Sequence, residues 1–198
     1  MEQAKKLLSD QELLDRCKNG DRESRETLAR ACIARVRKTV ILVIGNKQDV
    51  DDITQTALMR IFRGLKGFRK EASLTTWVDR VTVNTAREFM RRKPFLKLFY
   101  LDSNSVELIP QQAQTTPQSQ LENKIAIKYL TEALSLIKPK KRIALVLSAA
   151  YGYTASEIAD LTGCSVETAK KRLQHGRKEL LTRARNRNHL RQLLEENI

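Results

Sequence analysis

Residues 154–173 read TASEIADLTGCSVETAKKRL. Thr154 and Glu157 have the spacing of a capping box, in which a hydroxyl and a carboxylate satisfy free amides at a helix start. Ile158, Ala159 and Leu161 give that helix an apolar side. Thr162-Gly163-Cys164 reads as a tight turn, and Ser165 stands where it can cap a second helix beginning at Val166. A short helix, a glycine turn and a longer basic helix make a helix-turn-helix. At 3.6 residues per turn, Val166, Ala169, Leu173, Leu180 and Ala184 share one side of the second helix and are expected to pack inward. Glu167, Lys171, Gln174, His175 and Lys178 lie opposite. Such a face suits the major groove, where Lys and Gln pair with base edges. Lys170, Arg172 and Arg177 flank it at positions suited to phosphates. Cys164 is expected to be a small packing residue in the turn.

The rest of the chain agrees with a polyanionic partner. Its 198 residues carry 37 Lys and Arg against 23 Asp and Glu, a net charge of +14. Residues 1–97 hold 22 basic and 13 acidic side chains, and residues 124–198 hold 15 and 7. Between them, residues 98–123 hold no base and three acids, Asp102, Glu107 and Glu122. This middle is rich in Gln, Ser and Thr, contains Pro110 and Pro117, and reads as an irregular linker. No apolar run approaches the roughly 20 residues of a spanning helix. The start, MEQAKKLLSDQE, lacks a signal-peptide core. A cytoplasmic protein without membrane insertion is expected. Cys17, Cys32 and Cys164 are too dispersed for a disulfide framework, and no Cys/His cluster offers a metal site. No cofactor is expected.

Helical periodicity dominates outside the linker. Ser9-Asp10-Gln11-Glu12 is a capping box before Leu13, Leu14 and Cys17, and Gly20 ends that short helix. Asp21 can cap a second helix, in which Leu28, Cys32, Val36 and Val40 recur every four residues before Gly45. A third helix is expected from about Asp49 to Leu65, and a fourth from about Ser73 to Arg92, ended by Pro94. Further helices are expected near 119–136 and from Pro139 to about Tyr151. The fold class is therefore all-α, with two small helical domains (1–97 and 124–187), the linker 98–123, and a tail 188–198.

The N-terminal domain has two distinct polar faces. On the third helix Val50, Ile53, Ala57, Leu58, Ile61 and Leu65 make the core side. Asp52, Gln55, Thr56, Met59, Arg60 and Arg63 face away, and Met59 among polar groups suits a protein contact. On the fourth helix Leu74, Val78, Val81, Thr85 and Phe89 face inward. Thr76, Arg80, Asn84, Arg87 and Arg91 form a stripe, extended by Arg92 and Lys93. Trp77 stands at the border of the two sides, and the preceding loop, Phe68 to Ser73, mixes an aromatic with Arg69 and Lys70. Arginines beside such a loop suit nucleic acid with unstacked bases.

At these residues the sequence resembles a bacterial sigma factor of the extracytoplasmic-function group, from Asp10 to about Arg185. Asp49-Val50-Asp51-Asp52-Ile53-Thr54-Gln55 is similar to that family's D-x-x-D-L-V-Q signature. Phe68-Arg69, Ser73, Thr76-Trp77, Arg80 and Val83-Asn84-Thr85-Ala86 resemble its −10 reading loop and helix. Leu136-Ile137-Lys138-Pro139 and Tyr153 to Ala159 resemble helices of its region 4, and Gly163 to Leu173 its −35 recognition helix. Three positions depart from the family pattern: Thr54 stands for a usual Val, Thr56 for a frequent Glu, and Lys171 for a common Ser.

The resemblance implies a promoter-specificity subunit without catalysis of its own. Asp52, Ile53, Gln55, Thr56, Met59 and Arg60 would bind the clamp helices of the largest polymerase subunit. Phe68, Arg69, Lys70, Ser73, Thr76, Trp77, Arg80, Asn84, Arg87 and Arg91 would read and open the −10 element. Ser165, Glu167, Thr168, Lys170, Lys171, Arg172, Gln174, His175 and Lys178 would bind the −35 duplex, near the polymerase flap. The linker would thread the active-site cleft, where a basic segment would cling to template or transcript. An anti-sigma factor is the expected regulator. The alternative, a stand-alone helix-turn-helix regulator, accounts for residues 124–198 but not for the stripe on 76–91, and it usually needs a dimer. An enzyme acting on nucleic acid lacks a catalytic motif. Asp49, Asp51 and Asp52 sit at a helix start, where the dipole favours carboxylates without any metal.

Overall fold

Local rules start each helix. The Asp21 carboxylate accepts a hydrogen bond from the Ser24 amide at 2.9 Å and opens the longest helix. Ser24, through its side chain first and its amide second, holds the Asp21 carboxyl below its ordinary value. The computed structural model describes residues 11–44, 47–68, 72–92 and 130–185. Its elements are α1 (Gln11–Lys18), α2 (Arg22–Ile44), α3 (Lys47–Gly64) with a 3-10 turn (Leu65–Gly67), and α4 (Leu74–Arg92). A helical segment at 130–135 follows, then α5 (Pro139–Tyr151), α6 (Ala155–Thr162) and α7 (Val166–Arg185). The described residues contain no strand. Ser9, Asp10, Gly45, Arg69, Lys70, Lys93, the linker 98–123, the expected helix at 119–129 and the tail 188–198 lie outside the described residues, as does the side chain of Ala184.

The apolar spacings place the core. Leu28, Val36 and Val40 of α2, Val50, Ile53, Ala57 and Ile61 of α3, and Val78 and Val83 of α4 are buried together. The three helices pack pairwise, with α1 across α2. In the C-terminal half, α7 packs on both α5 and α6, burying Ile143, Leu147, Ile158, Leu161 and Ala169. Val166 departs from expectation: it is 41% exposed. It opens α7, one turn before Ala169, the first α7 position that reaches the packing. Cys17 and Cys32 are free and buried. Burial pushes the Cys32 thiol up to about 12, which keeps it an unreactive packing group.

The helix-turn-helix forms as its sequence dictates. Thr154 Oγ1 accepts from the Glu157 amide at 3.3 Å, and the Glu157 carboxylate accepts from the Thr154 amide at 2.8 Å. Gly163 then turns the chain at φ +62°, a conformation that L side chains rarely adopt. Thr154→Ala is expected to cost ~1 kcal/mol in thermal unfolding, the usual value of a hydroxyl N-cap.

Thr54, where a valine is usual, is buried with its hydroxyl unpartnered. Thr54→Val should therefore stabilise the chain by about 1 kcal/mol in denaturant unfolding, because a buried orphan hydroxyl carries a desolvation cost. The two halves also touch: α2 meets α5, and α4 meets both α5 and α6. No described helix is long and apolar enough to cross a membrane.

Candidate nucleic-acid interface

α4 and α7 begin in the same way. Ser73 Oγ accepts from the Thr76 amide at 3.1 Å and meets Thr76 Oγ1 at 2.8 Å. Ser165 Oγ accepts from the Thr168 amide at 3.2 Å and meets Thr168 Oγ1 at 2.8 Å. These four hydroxyls fix the starts of the two basic helices. Beyond the cap, Glu167, Lys170, Lys171, Gln174, His175 and Lys178 are all exposed on α7. Glu167 lies 3.9 Å from Lys171, one turn on. Of the expected −35 residues, Thr168 and Arg172 are partly buried. The Arg172 guanidinium turns back on the Cys164 sulfur (3.2 Å) and Thr162 Oγ1 (3.4 Å), so it braces the turn. Cys164 packs there as expected.

On α4, Arg80, Asn84 and Arg91 are exposed, while Thr76, Trp77 and Arg87 are partly covered. Arg87 donates to the carbonyl of Thr162, at the end of α6, at 2.8 Å. Phe68 corrects the sequence reading. It is only 8% exposed and lies under Trp77, with ring centroids 5.3 Å apart. Phe68 is thus the buried anchor of the loop, covered by Trp77, which the sequence places at the border of the two sides. Lys18 of α1 donates to the Phe68 carbonyl at 2.9 Å and lies 5.7 Å from its ring centroid. Gly64 matters for the same reason: a Cβ there would come within 2.9 Å of Trp77 Cζ2.

On α3, Asp52, Gln55, Thr56, Met59 and Arg60 are exposed. Ile53 is not: at 2% exposure it belongs to the core, as its place on the apolar side of the wheel requires. Arg60 also reaches across to Glu88 of α4 at 2.7 Å, and Arg92 meets the same carboxylate. The hydrogen bond and charge of Arg60, then the charge of Arg92, hold the Glu88 carboxyl below its ordinary value.

A buried polar network joins the two halves, and sequence reading missed it. Asp79 of α4 is 1% exposed. Arg35 of α2 grips it with two bonds, at 2.8 and 2.7 Å, and the Tyr153 hydroxyl donates to it at 2.7 Å. Burial opposes the Arg35 charge, but the Asp79 bond and charge outweigh it and raise the Arg35 pKa. The Arg35 guanidinium lies 4.2 Å from the Tyr151 ring centroid, and the Tyr151 hydroxyl meets Thr39 Oγ1 at 2.6 Å. Burial first, with the charge of Asp79 adding, pushes Tyr151 and Tyr153 up to about 12, so both are protonated donors at neutral pH. Arg142 is 1% exposed and donates to the carbonyls of Val43 and Ser135, each at 2.7 Å, and of Ile137 at 3.0 Å. Burial pulls it down to about 10, and it remains a cation at neutral pH. One signal available in sequence was Asp79 itself, which shares a strip of α4 with Thr82 and Ala86, all buried.

The Sigma-70 region 2 family model matches residues 28–94, and the Sigma-70 region 4 family model matches residues 127–180. The chain belongs to the sigma-70 family. Region 2 spans most of α2 through α4, and region 4 holds the helix-turn-helix. Curated relatives include the ECF RNA polymerase sigma-E factor of Haemophilus influenzae, 22% identical over 175 residues, 86% of this chain and 92% of that protein. The sigma-E factor of Escherichia coli K12 is 24% identical over 181 residues, 87% of this chain and 93% of that protein. The sigma factor SigM of Mycobacterium tuberculosis is 28% identical over 172 residues, 87% and 83% of the two chains. The fold matches CnrH, solved in complex with the cytosolic domain of CnrY, at a TM-score of 0.60 and 18% identity over 90% of this chain and 99% of that one. It also matches the sigma factor RpoE of Bartonella quintana, solved in complex with the anti-sigma factor NepR, at 0.58 and 18% over 78% and 92%.

Proposed function

We propose that this sigma factor docks on core RNA polymerase through α3 and reads two promoter elements, one with α4 and one with α7. One observation carries the reading: two basic helices with the same Ser-x-x-Thr cap each present exposed cations with an amide, Arg80, Asn84 and Arg91 on one and Lys171, Gln174 and Lys178 on the other. Asp52, Gln55, Thr56, Met59 and Arg60 form the polymerase face. Arg69, Lys70, Thr76, Trp77, Arg80, Asn84, Arg87 and Arg91 serve the −10 element, with Phe68 and Ser73 holding the loop in place. Glu167, Lys170, Lys171, Gln174, His175 and Lys178 meet the −35 duplex, with Ser165 and Thr168 setting the helix start. The boundaries 1–97, 98–123, 124–187 and 188–198 follow, with the non-basic linker crossing the polymerase cleft. The protein lends specificity to an enzyme and does no chemistry itself, and its place of work is the cytoplasm. The solved neighbours, both in complexes, support control by an anti-sigma partner.

Separate faces give separate losses. Asp52→Ala with Gln55→Ala is expected to weaken core binding and leave −35 duplex binding unchanged. Lys171→Ala with Gln174→Ala is expected to do the reverse, at ~1–3 kcal/mol for each good base contact. Equal damage to both activities by both pairs contradicts the assignment. Lys18→Met, which keeps the aliphatic stem but loses the donor to Phe68, should reduce promoter opening by about tenfold, the lower end of the scale of one charge-assisted hydrogen bond. Lys18→Arg should restore it, and −35 binding should not move.

A further inference from the structure

We propose that Val166 is a specificity-determining residue of α7, and that it reads the C5-methyl group of one thymine in the −35 duplex. The proposal rests on α7 being the −35 reader and adds a base preference to it. A lone exposed apolar residue is ordinary on a protein surface. What singles out Val166 is where it stands. It opens α7 and is 41% exposed, while Ala169, one turn on, is fully buried. The packing of α7 on α5 and α6 thus starts only after this residue, and the fold itself gives Val166 no full cover.

The groups around it narrow the choice of partner. Residues 165–168 carry no cation, whereas the exposed Lys170, Lys171, Arg177 and Lys178 follow further along the helix. Ser165 Oγ and Thr168 Oγ1 are spent on the helix start, bonded to each other, with Ser165 also accepting from the Thr168 amide. Glu167 stays 3.9 Å from Lys171, beyond hydrogen-bond reach. The first turn therefore offers a duplex two uncommitted groups, one apolar and one a carboxylate. Phosphates repel a carboxylate, so this turn does not lie along the backbone. It enters the groove between the backbones, where the start of a recognition helix meets base edges. Among the base edges of the major groove, thymine alone carries a methyl group, and that is the partner an apolar side chain finds there. Contact between the two takes both out of water. Valine suits the task because its branched side chain keeps one favoured χ1 rotamer in a helix, so little freedom is lost on binding. Glu167 beside it can accept from a cytosine amine, which also keeps this turn on base edges.

The test uses the full chain and the −35 duplex of a promoter that the holoenzyme transcribes. Each thymine on either strand is replaced in turn by uracil, which removes the methyl and keeps every hydrogen-bonding group. Wild type should lose about fourfold in affinity at one of these thymines, the scale of one buried methyl. This series needs no altered protein. Val166→Ala should bind the unmodified duplex about fourfold more weakly, and uracil at that same thymine should then cost it nothing further. Such non-additivity is the mark of two groups in contact. The variant should melt close to wild type, because Val166 lies outside the core. Wild type that is indifferent to every uracil overturns the proposal, and so does a Val166→Ala protein that still loses fourfold at the same thymine. Failure of the underlying reading has its own signature: Lys171→Ala with Gln174→Ala would bind the −35 duplex as tightly as wild type. If that pair weakens binding while the uracil series is silent, α7 remains the −35 reader and the methyl contact alone falls.

Discussion

Arg142→Met is expected to lower the stability of this sigma factor by about 3 kcal/mol or more, the largest loss for any single substitution proposed. The side chain is almost wholly buried, yet no carboxylate among the described residues neutralises it; carbonyls do. Val43 lies in the last turn of α2, where carbonyls lack intrahelical partners and a cation suits the dipole. Ser135 and Ile137 lead out of the segment before α5 in the same condition. Methionine fills much of the volume but leaves three acceptors dry, each worth ~1–3 kcal/mol, partly offset by no longer burying a charge. Arg142→Lys should recover little, since one ammonium cannot span three carbonyls held apart. Urea unfolding measures this as a shift of midpoint at constant slope. An unchanged midpoint would show that water replaces the guanidinium without penalty.

Asp79→Ala should be nearly as costly, about 3 kcal/mol, because it removes the anion from a buried pair and strands Arg35 and the Tyr153 hydroxyl. Its second effect separates it from Arg142. Asp79 lies on α4 beside Arg80, so loss of the clamp from α2 frees the reading helix to shift against α2. Promoter opening should drop by at least tenfold, with −35 duplex binding intact. Asp79→Asn, which keeps an acceptor for Tyr153, should be milder in both assays. An Asp79→Ala protein as stable as the parent would mean that Arg35 finds another partner.

Much of this was legible in the sequence because the deciding patterns are local. The Thr154/Glu157 box, the Gly163 turn and the Ser165 start lie within a dozen residues, and the structure realises each. The helical spacing of Val50, Ile53, Ala57 and Ile61 gave the core side of α3 in the same way. The same wheel also places Ile53 inside, and a family signature that runs through it does not move it to the surface. What escaped is long-range. Lys18 reaches Phe68 across 50 residues, Asp79 reaches Tyr153 across 74, and Arg142 reaches Val43 across 99. Periodicity registers the buried side of one helix; it does not say which distant tyrosine meets a buried carboxylate. One hint was present: apolar runs at 40–44 and 143–147 that leave no polar face to give to water.

The central claim is that this sigma factor gives core RNA polymerase a promoter specificity of its own, read at two elements. Run-off transcription with purified core polymerase on supercoiled genomic promoters tests it most directly. Addition of the protein should yield new, specific transcripts, lost on combining Trp77→Ala with Arg80→Ala and weakened by Lys171→Ala with Gln174→Ala. No new transcript, together with no complex with core polymerase on gel filtration, would contradict it.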